Sequence, residues 1–292
     1  MSIKVANAPV NFGIYQVEGA PLDADTMLGV LAEAGYDGVD SGPIGYLGTG
    51  AELRERLGRT GMGLAGGWVD LRYEDAGAFA ADLAGLDAAL AVFASVPVGD
   101  GRFAPRPTLA CPAHPARFAG GVAPGLPGEA WAGFASRVQQ AADRCRDRGL
   151  EPVFHHHAGT LVETPDEVER LLELTDVSLC LDTGHLWLAG GDPVAALREW
   201  GGRIGQFHLK DASREARDRV RAAGGDLAAA VAGGAFPPLG AGEIDLTAVL
   251  GALGGYQGWL VVEQDVPGSG QDLDRILDDQ RANRAWLRAH GL

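Results

Sequence analysis

Pro152-Val153-Phe154-His155-His156-His157-Ala158-Gly159-Thr160-Leu161-Val162-Glu163-Thr164-Pro165-Asp166-Glu167 reads as one strand–loop–helix unit. Pro152 to Phe154 form the end of an apolar strand that runs into three histidines. Thr164 is placed as a helix N-cap, Pro165 takes the first helical position, and Glu167 stands where it closes a capping box. Glu163 is then the last loop residue before the cap. Strand alternation turns His155 and His157 to one side and His156 to the other. Two imidazoles on one side of a strand end, with a carboxylate close behind, suit a metal or proton-transfer site. The plainer alternative is a surface patch; an expression tag is disfavoured because the run is internal.

The same alternation of strand and helix extends outward in both directions. Before this unit, Ile3 to Val10, Gly38 to Asp40, Met62 to Val69 and Ala88 to Val96 read as strands. Leu22 to Ala34, Ala51 to Arg59 and Ala76 to Leu86 read as the helices among them, and Trp131 to Gly149 as the helix after them. Beyond the unit, Val177 to Leu181, Ile204 to Phe207 and Trp259 to Val262 read as strands. Asp192-Pro193 and Asp245 cap helices, short helices are expected between Ala212 and Gly234, and Ile276 to Ala289 is a closing helix. Residues 97–128 are rich in proline and glycine and carry no periodicity; they are either a functional loop or lid, or an insertion. The total is eight strands alternating with helices, which points to a single-domain (β/α)8 barrel. An open doubly wound sheet would want a glycine-rich phosphate turn after the first strand, and Asn11-Phe12-Gly13-Ile14-Tyr15 does not supply one.

Composition narrows the class. The 292 residues are 46% hydrophobic and 22% charged, as in an ordinary globular protein. With 24 basic against 39 acidic residues, the net charge of -15 argues against a nucleic acid or an anionic membrane surface as partner. A cation is the more natural charged guest. Cys111, Cys145 and Cys180 form no disulfide framework, and Cys145 and Cys180 fall in apolar elements. Met1-Ser2-Ile3-Lys4 lacks signal-peptide character, and no stretch approaches 18 uninterrupted apolar residues, so a cytoplasmic location is expected.

Catalysis in such a barrel sits at the C-terminal ends of strands. The later strands end in His155, His157 and Glu163; in Asp182 and His185; in His208, Lys210 and Asp211; and in Glu263 and Asp265. Several buried carboxylates around one point require a cation. Glu163, Asp182, His208 and Glu263 offer three carboxylates and an imidazole, which suit Mn²⁺, Co²⁺, Mg²⁺ or Zn²⁺ with no thiolate to select zinc. The competing readings are a capped turn at Asp182-Thr183-Gly184, a solvated Lys210 and a polar strand exit at Glu263. Asp40 and Asn11 stand evenly between substrate contact and structure, Trp68 and Trp187 lean to core, and Glu18 and Asp70 to surface.

Three late motifs carry a resemblance. Asp182-Thr183-Gly184-His185, then His208-Leu209-Lys210-Asp211, then Val261-Val262-Glu263-Gln264 resemble the sugar phosphate isomerase/epimerase superfamily of xylose isomerase-like barrels. Ala34-Gly35-Tyr36-Asp37-Gly38-Val39-Asp40 and Pro238-Leu239-Gly240-Ala241-Gly242-Glu243-Ile244-Asp245 look like the same family. Within it, the triple histidine and the Gly-Thr that follows look most like the inosose dehydratases. The resemblance implies a divalent metal, Mn²⁺ or Co²⁺, held by Glu, Asp, His and Glu. Asp182, His208 and Glu263 match the last three positions. At the first, either His155 or Glu163 serves; Glu163 is favoured because a third carboxylate suits Mn²⁺ and leaves a histidine free.

The chemistry implied is removal of a proton beside the carbonyl of a small keto-sugar or keto-cyclitol. His155 or His157 is the expected base, Lys210 the group that neutralises a developing oxyanion, and His185 the holder or acid for a hydroxyl. Dehydration, isomerisation or epimerisation, and cleavage of a 3-keto C-glycoside all share that first step. A metal-dependent nuclease and a non-catalytic sugar-binding relative are the readings from other classes, and assembly as a homo-oligomer is left open.

Overall fold

The apolar runs at the strand positions pair side by side and in parallel until the last meets the first. In the computed structural model, which describes residues 2–114, 117, 125–270 and 272–292, eight strands form one closed barrel in chain order. They are β1 (Ile3–Asn7), β2 (Gly38–Asp40), β3 (Gly63–Asp70), β4 (Arg106–Ala110), β5 (Val153–His155), β6 (Ser178–Asp182), β7 (Ile204–Leu209) and β8 (Gly258–Val262). Pairing of β1 with β8, from Ile3 opposite Gly258 to Asn7 opposite Val262, closes the ring and leaves no free strand edge.

Small residues make the barrel floor possible. Trp259 packs there with Ala6, Ala8, Ala65 and Val261. A Cβ on Gly38 would lie 2.6 Å from the Trp259 ring, and one on Gly63 2.8 Å from it, so only glycine fits at either place. Above this layer Thr108 Oγ1 donates to Gln206 Oε1 at 3.2 Å, and Gln206 Nε2 donates to Ala65 O at 3.1 Å. The interior is therefore filled from below, and a cavity opens at the C-terminal mouth.

The helices begin where the caps place them. Thr164 accepts from Glu167 N–H, and Glu167 reaches back to the cap backbone, so the capping box forms as expected. Such a cap is worth roughly 1 kcal/mol. Asp192 and Asp245 likewise cap Pro193–Trp200 and Leu246–Ala252. Gly35, with φ of 83°, ends the helix Ala24–Ala34.

One strand assignment is overturned. Ala88 to Val96 was expected to be the fourth strand, but Ala76–Ala94 is one continuous helix capped by Asp75. Four alanines between positions 88 and 95 favour helix, and nothing in the run breaks it. The true fourth strand lies inside the stretch expected to be unstructured, residues 97–128. Its Pro107 conceals it, because proline removes a ladder donor. Residues 115–116 and 118–124 of the stretch read as a loop or lid lie outside the described residues. Among the described residues, Ala76–Ala94 is the one helix long and apolar enough to cross a membrane; it packs its Phe79, Leu86, Leu90 and Phe93 into the core against β3 and β4.

A candidate metal centre at the barrel mouth

Register brings the late strand ends together. His155 ends β5, and Asp182 and His208 lie opposite one another on β6 and β7. Glu263 follows β8 and donates its N–H to Leu209 O at 3.0 Å. One side chain from each of four adjacent strand ends thus points at one spot. His155, Asp182, His208 and Glu263 each offer a ligand atom, all within 4.8 Å of one another, and all four residues are buried. Asp182 Oδ2 lies 3.7 Å from His155 Nε2 and 3.9 Å from His208 Nδ1, and Glu263 Oε1 lies 3.2 Å from His208 Nδ1.

These residues fit a cation by an independent criterion. Asp182 Oδ2 and both ring nitrogens of His208 are buried without a hydrogen-bond partner. Orphaned buried polar atoms cost about 1–3 kcal/mol each unless something else satisfies them. Burial alone would raise the Asp182 carboxyl, but Lys210 and His155 outweigh it and hold it below the usual range. Burial likewise opposes ionisation of Glu263, and His208 and Lys210 overcome it, so that it lies well below its ordinary value. Two anionic oxygens and two imidazole nitrogens are a donor set for a first-row divalent ion.

Glu163, expected as the first ligand, is not in this group. Its carboxylate accepts from Gly159 N–H, and its own N–H donates to Glu167 Oε2 at 3.0 Å. The capping box turns the chain away at this point, and Glu163 closes the turn after the histidines instead of reaching the mouth. His155 stands in its place, which removes His155 from the expected bases and makes the donor set richer in nitrogen.

Alternation sorts the other histidines as expected. His156 turns away and accepts from Asp182 N–H at 3.2 Å, tying β5 to β6. His157 shares the mouth with His155, both meeting the edge of Trp68, at 5.3 and 5.5 Å between ring centres. His157 Nδ1 is 2.7 Å from Ala158 O, which assigns the proton to Nδ1 and leaves Nε2 as acceptor. Burial, then His155 and Lys210, push His157 down to about 3, so it is neutral at physiological pH. Its ring centre is 3.6 Å from that of His185.

Asp182-Thr183-Gly184-His185 serves β7 as well as the centre. Asp182 Oδ1 accepts from His185 N–H at 2.8 Å and caps the short helix Thr183–Leu188, as the capped-turn reading expects, while Oδ2 faces His155 and His208. Thr183 Oγ1 donates to Lys210 O at 2.6 Å and accepts from Lys210 N–H at 2.9 Å. A Cβ on Gly184 would lie 2.7 Å from Lys210 Cγ. His185 Nε2 receives the Lys210 ammonium at 2.9 Å. Burial opposes the Lys210 charge, but Asp182, Asp265 and Glu263 raise it well above its ordinary value. Gly184→Ala is expected to lower stability by about 1–3 kcal/mol, because Thr183 holds the Lys210 backbone and its stem cannot retreat. Urea denaturation checks this; an unchanged midpoint would show that the stem has room.

Asp265 reads from the sequence as a strand-end residue with no assigned role. It meets Lys210 Nζ at 2.9 Å through Oδ1 and lies 3.7 Å from His185 Nε2 through Oδ2. Its two-residue offset from Glu263 was the available signal. Asp211 is structural: its carboxylate accepts from the N–H groups of Ala212, Gly240, Gly242 and Ile244 and shapes the Pro238–Gly242 loop. Asn11 is structural too, joining Asn7, Val262 and Gln280. Trp187 carries Arg214 on its face and stays out of the mouth.

A cavity of about 410 Å³ opens over the centre, toward the small end of ligand sites in general. Tyr15, Pro43 and Trp68 line it with apolar surface, and Asp40, His157, Lys210, Glu263 and Asp265 with polar groups. Asp40 is thereby placed at the site, with burial and then Glu263 raising it to about 6 against the pull of His208. Asp70, expected on the surface, is exposed and also lines this cavity.

The comparisons agree with this fold. Residues 28–290 match the model of the xylose isomerase-like TIM barrel family. The rhizopine catabolism protein MocC of Rhizobium meliloti is 32% identical over 282 residues, covering 91% of this chain and 82% of MocC. An inosose dehydratase of Geobacillus kaustophilus is 39% identical over 140 residues, 46% of either chain, so the match spans about half of that enzyme. The IolI protein with a bound zinc atom shares the fold, with a TM-score of 0.72 at 13% identity over 99% of both chains. The chain belongs to the xylose isomerase-like TIM barrel family.

Proposed function

We propose that this enzyme is a divalent-metal-dependent dehydratase acting on a keto-cyclitol of the inosose kind. The observation that carries the reading is the buried quartet His155, Asp182, His208 and Glu263, orphaned polar atoms included, beneath a cavity of about 410 Å³. The likeness to inosose dehydratases supports the substrate class.

His155, Asp182, His208 and Glu263 would hold the ion; bound there, it supplies Lewis-acid stabilisation to the substrate oxygen beside the carbon that loses its proton. The ligand set includes two imidazoles, which moves the expected preference from Mn²⁺ toward Co²⁺ and Zn²⁺ and away from Mg²⁺. His157 Nε2 faces the mouth as a neutral acceptor for that proton. A base this weak works only against an acidified C–H bond, which fits a carbon next to a polarised carbonyl. Lys210 then donates a proton to the hydroxyl on the next carbon, so that the C–O bond breaks and water leaves. Asp265, Glu263 and His185 aim its ammonium, and His185 accepts from it. Trp68 and Tyr15 wall the cavity and restrict access of bulk water to the reacting face.

Epimerisation is disfavoured by the quartet itself. A mechanism passing a proton between two facing carboxylates wants a glutamate where His155 stands. The test is incubation with 2-keto-myo-inositol and Mn²⁺ or Co²⁺ in deuterium oxide, followed by NMR. Loss of water and formation of an unsaturated or diketo product are expected. Exchange at the α-carbon without water loss would redirect the reading to isomerisation, and neither event with inososes, ketoses or 3-keto glycosides would end it.

A further inference from the structure

Lys210 is bound like a metal ion. Its Nζ lies 2.9 Å from Glu263 Oε2, 2.9 Å from Asp265 Oδ1 and 2.9 Å from His185 Nε2, with Asp182 Oδ2 at 3.5 Å. An ammonium has three protons, and here each has an acceptor. The side chain is 1% exposed, and Thr183 and Gly184 are shaped to its backbone and stem. His157, His185 and Asp265, without Lys210, already form a second group whose ligand atoms lie within 4.8 Å of one another. His185 Nδ1 is buried there with no partner. Glu263 joins the two places, because Oε1 faces His208 and Oε2 faces Lys210. A carboxylate shared in this way is how two cations are held about 3.5–4 Å apart in two-metal sites.

We propose that Lys210 is the tethered second cation of a two-cation centre, filling a position built by His157, His185, Asp265 and the outer oxygen of Glu263 that accepts a divalent ion once the ammonium is removed. The inference rests on the reading that the neighbouring quartet holds the first ion. A tethered ammonium has two consequences that a second metal ion would lack. Its charge is present whatever the metal supply, and it carries protons to give to a leaving hydroxyl. A divalent ion in its place would draw its ligands inward by roughly 0.8 Å, to bonds of about 2.0–2.2 Å. Loss of the ammonium and the end of the side chain leaves room for that.

The test counts ions. Wild type, Lys210→Ala, Lys210→Gln and the double variant Lys210→Ala/Asp265→Asn are loaded with Mn²⁺, freed of excess by gel filtration and analysed for metal. One ion per chain is expected in wild type, two in each single variant and one in the double variant. The single variants should also show the electron paramagnetic resonance spectrum of spin-coupled Mn²⁺ pairs. Single variants that fold and hold the same number of ions as wild type would overturn the proposal. Lys210→Gln keeps the stem packed, so a variant soluble only with Mn²⁺ supports the proposal, and one insoluble with or without the ion counts against it. Wild type without metal would sink the quartet reading alone. An ion gained by Lys210→Ala and lost again with Asp265→Asn would still uphold the second position.

Discussion

Asp182→Asn is expected to yield a folded protein that has lost its ion, with kcat/KM lowered by about 10³-fold or more, roughly 4 kcal/mol of transition-state stabilisation. The two oxygens of Asp182 do different work. Oδ1 caps the helix Thr183–Leu188 through His185 N–H at 2.8 Å, whereas Oδ2 faces His155 and His208. Asparagine keeps an oxygen for the cap and replaces the charged ligand with a neutral one. Asp182→Ala loses both functions and should cost about 1 kcal/mol more in stability, the usual worth of a cap. Metal analysis and thermal unfolding of the two variants side by side separate ligand from cap. Retention of one ion and full activity by Asp182→Asn would remove the quartet from consideration.

His157→Ala and His155→Ala are expected to fail in different ways. Both rings stand at the mouth and touch Trp68, but only His155 lies among the candidate ligands of the quartet. His157→Ala should retain its ion and lose about 10²–10⁴-fold in the rate of solvent-deuterium exchange at the substrate α-carbon, the usual worth of a positioned base. His155→Ala should lose the ion first and the activity as a consequence, so excess Co²⁺ or Zn²⁺ should restore part of it. Metal content and exchange rate, measured on both variants, make the assignment. Equal metal loss in the two would place His157 among the ligands, and undiminished exchange in His157→Ala would end its role as base.

Most of the barrel was legible because its signals are local. Caps at Thr164, Asp192 and Asp245, the stop at Gly35 and the short apolar strands each depend on neighbours within a few residues. The exchange of Ala88–Val96 for Arg106–Ala110 has a local cause too. An alanine-rich apolar run suits both strand and helix until its partner is known, and Pro107 hides a strand whose register with β3 is plain only in the sheet.

Alternation along one strand is a property of the chain itself, and so the sequence alone told that His155 and His157 share a side, that Asp182, His208 and Glu263 end successive late strands, and that eight such units close a cylinder. Closure decided the rest. Only the ring of strands shows that His155, and not Glu163, completes the quartet, since a loop residue is free to turn toward its own helix cap. Only the ring brings Asp265 and His185 to Lys210, because those residues lie on three segments far apart in the chain and are joined by sheet geometry, which no local pattern encodes.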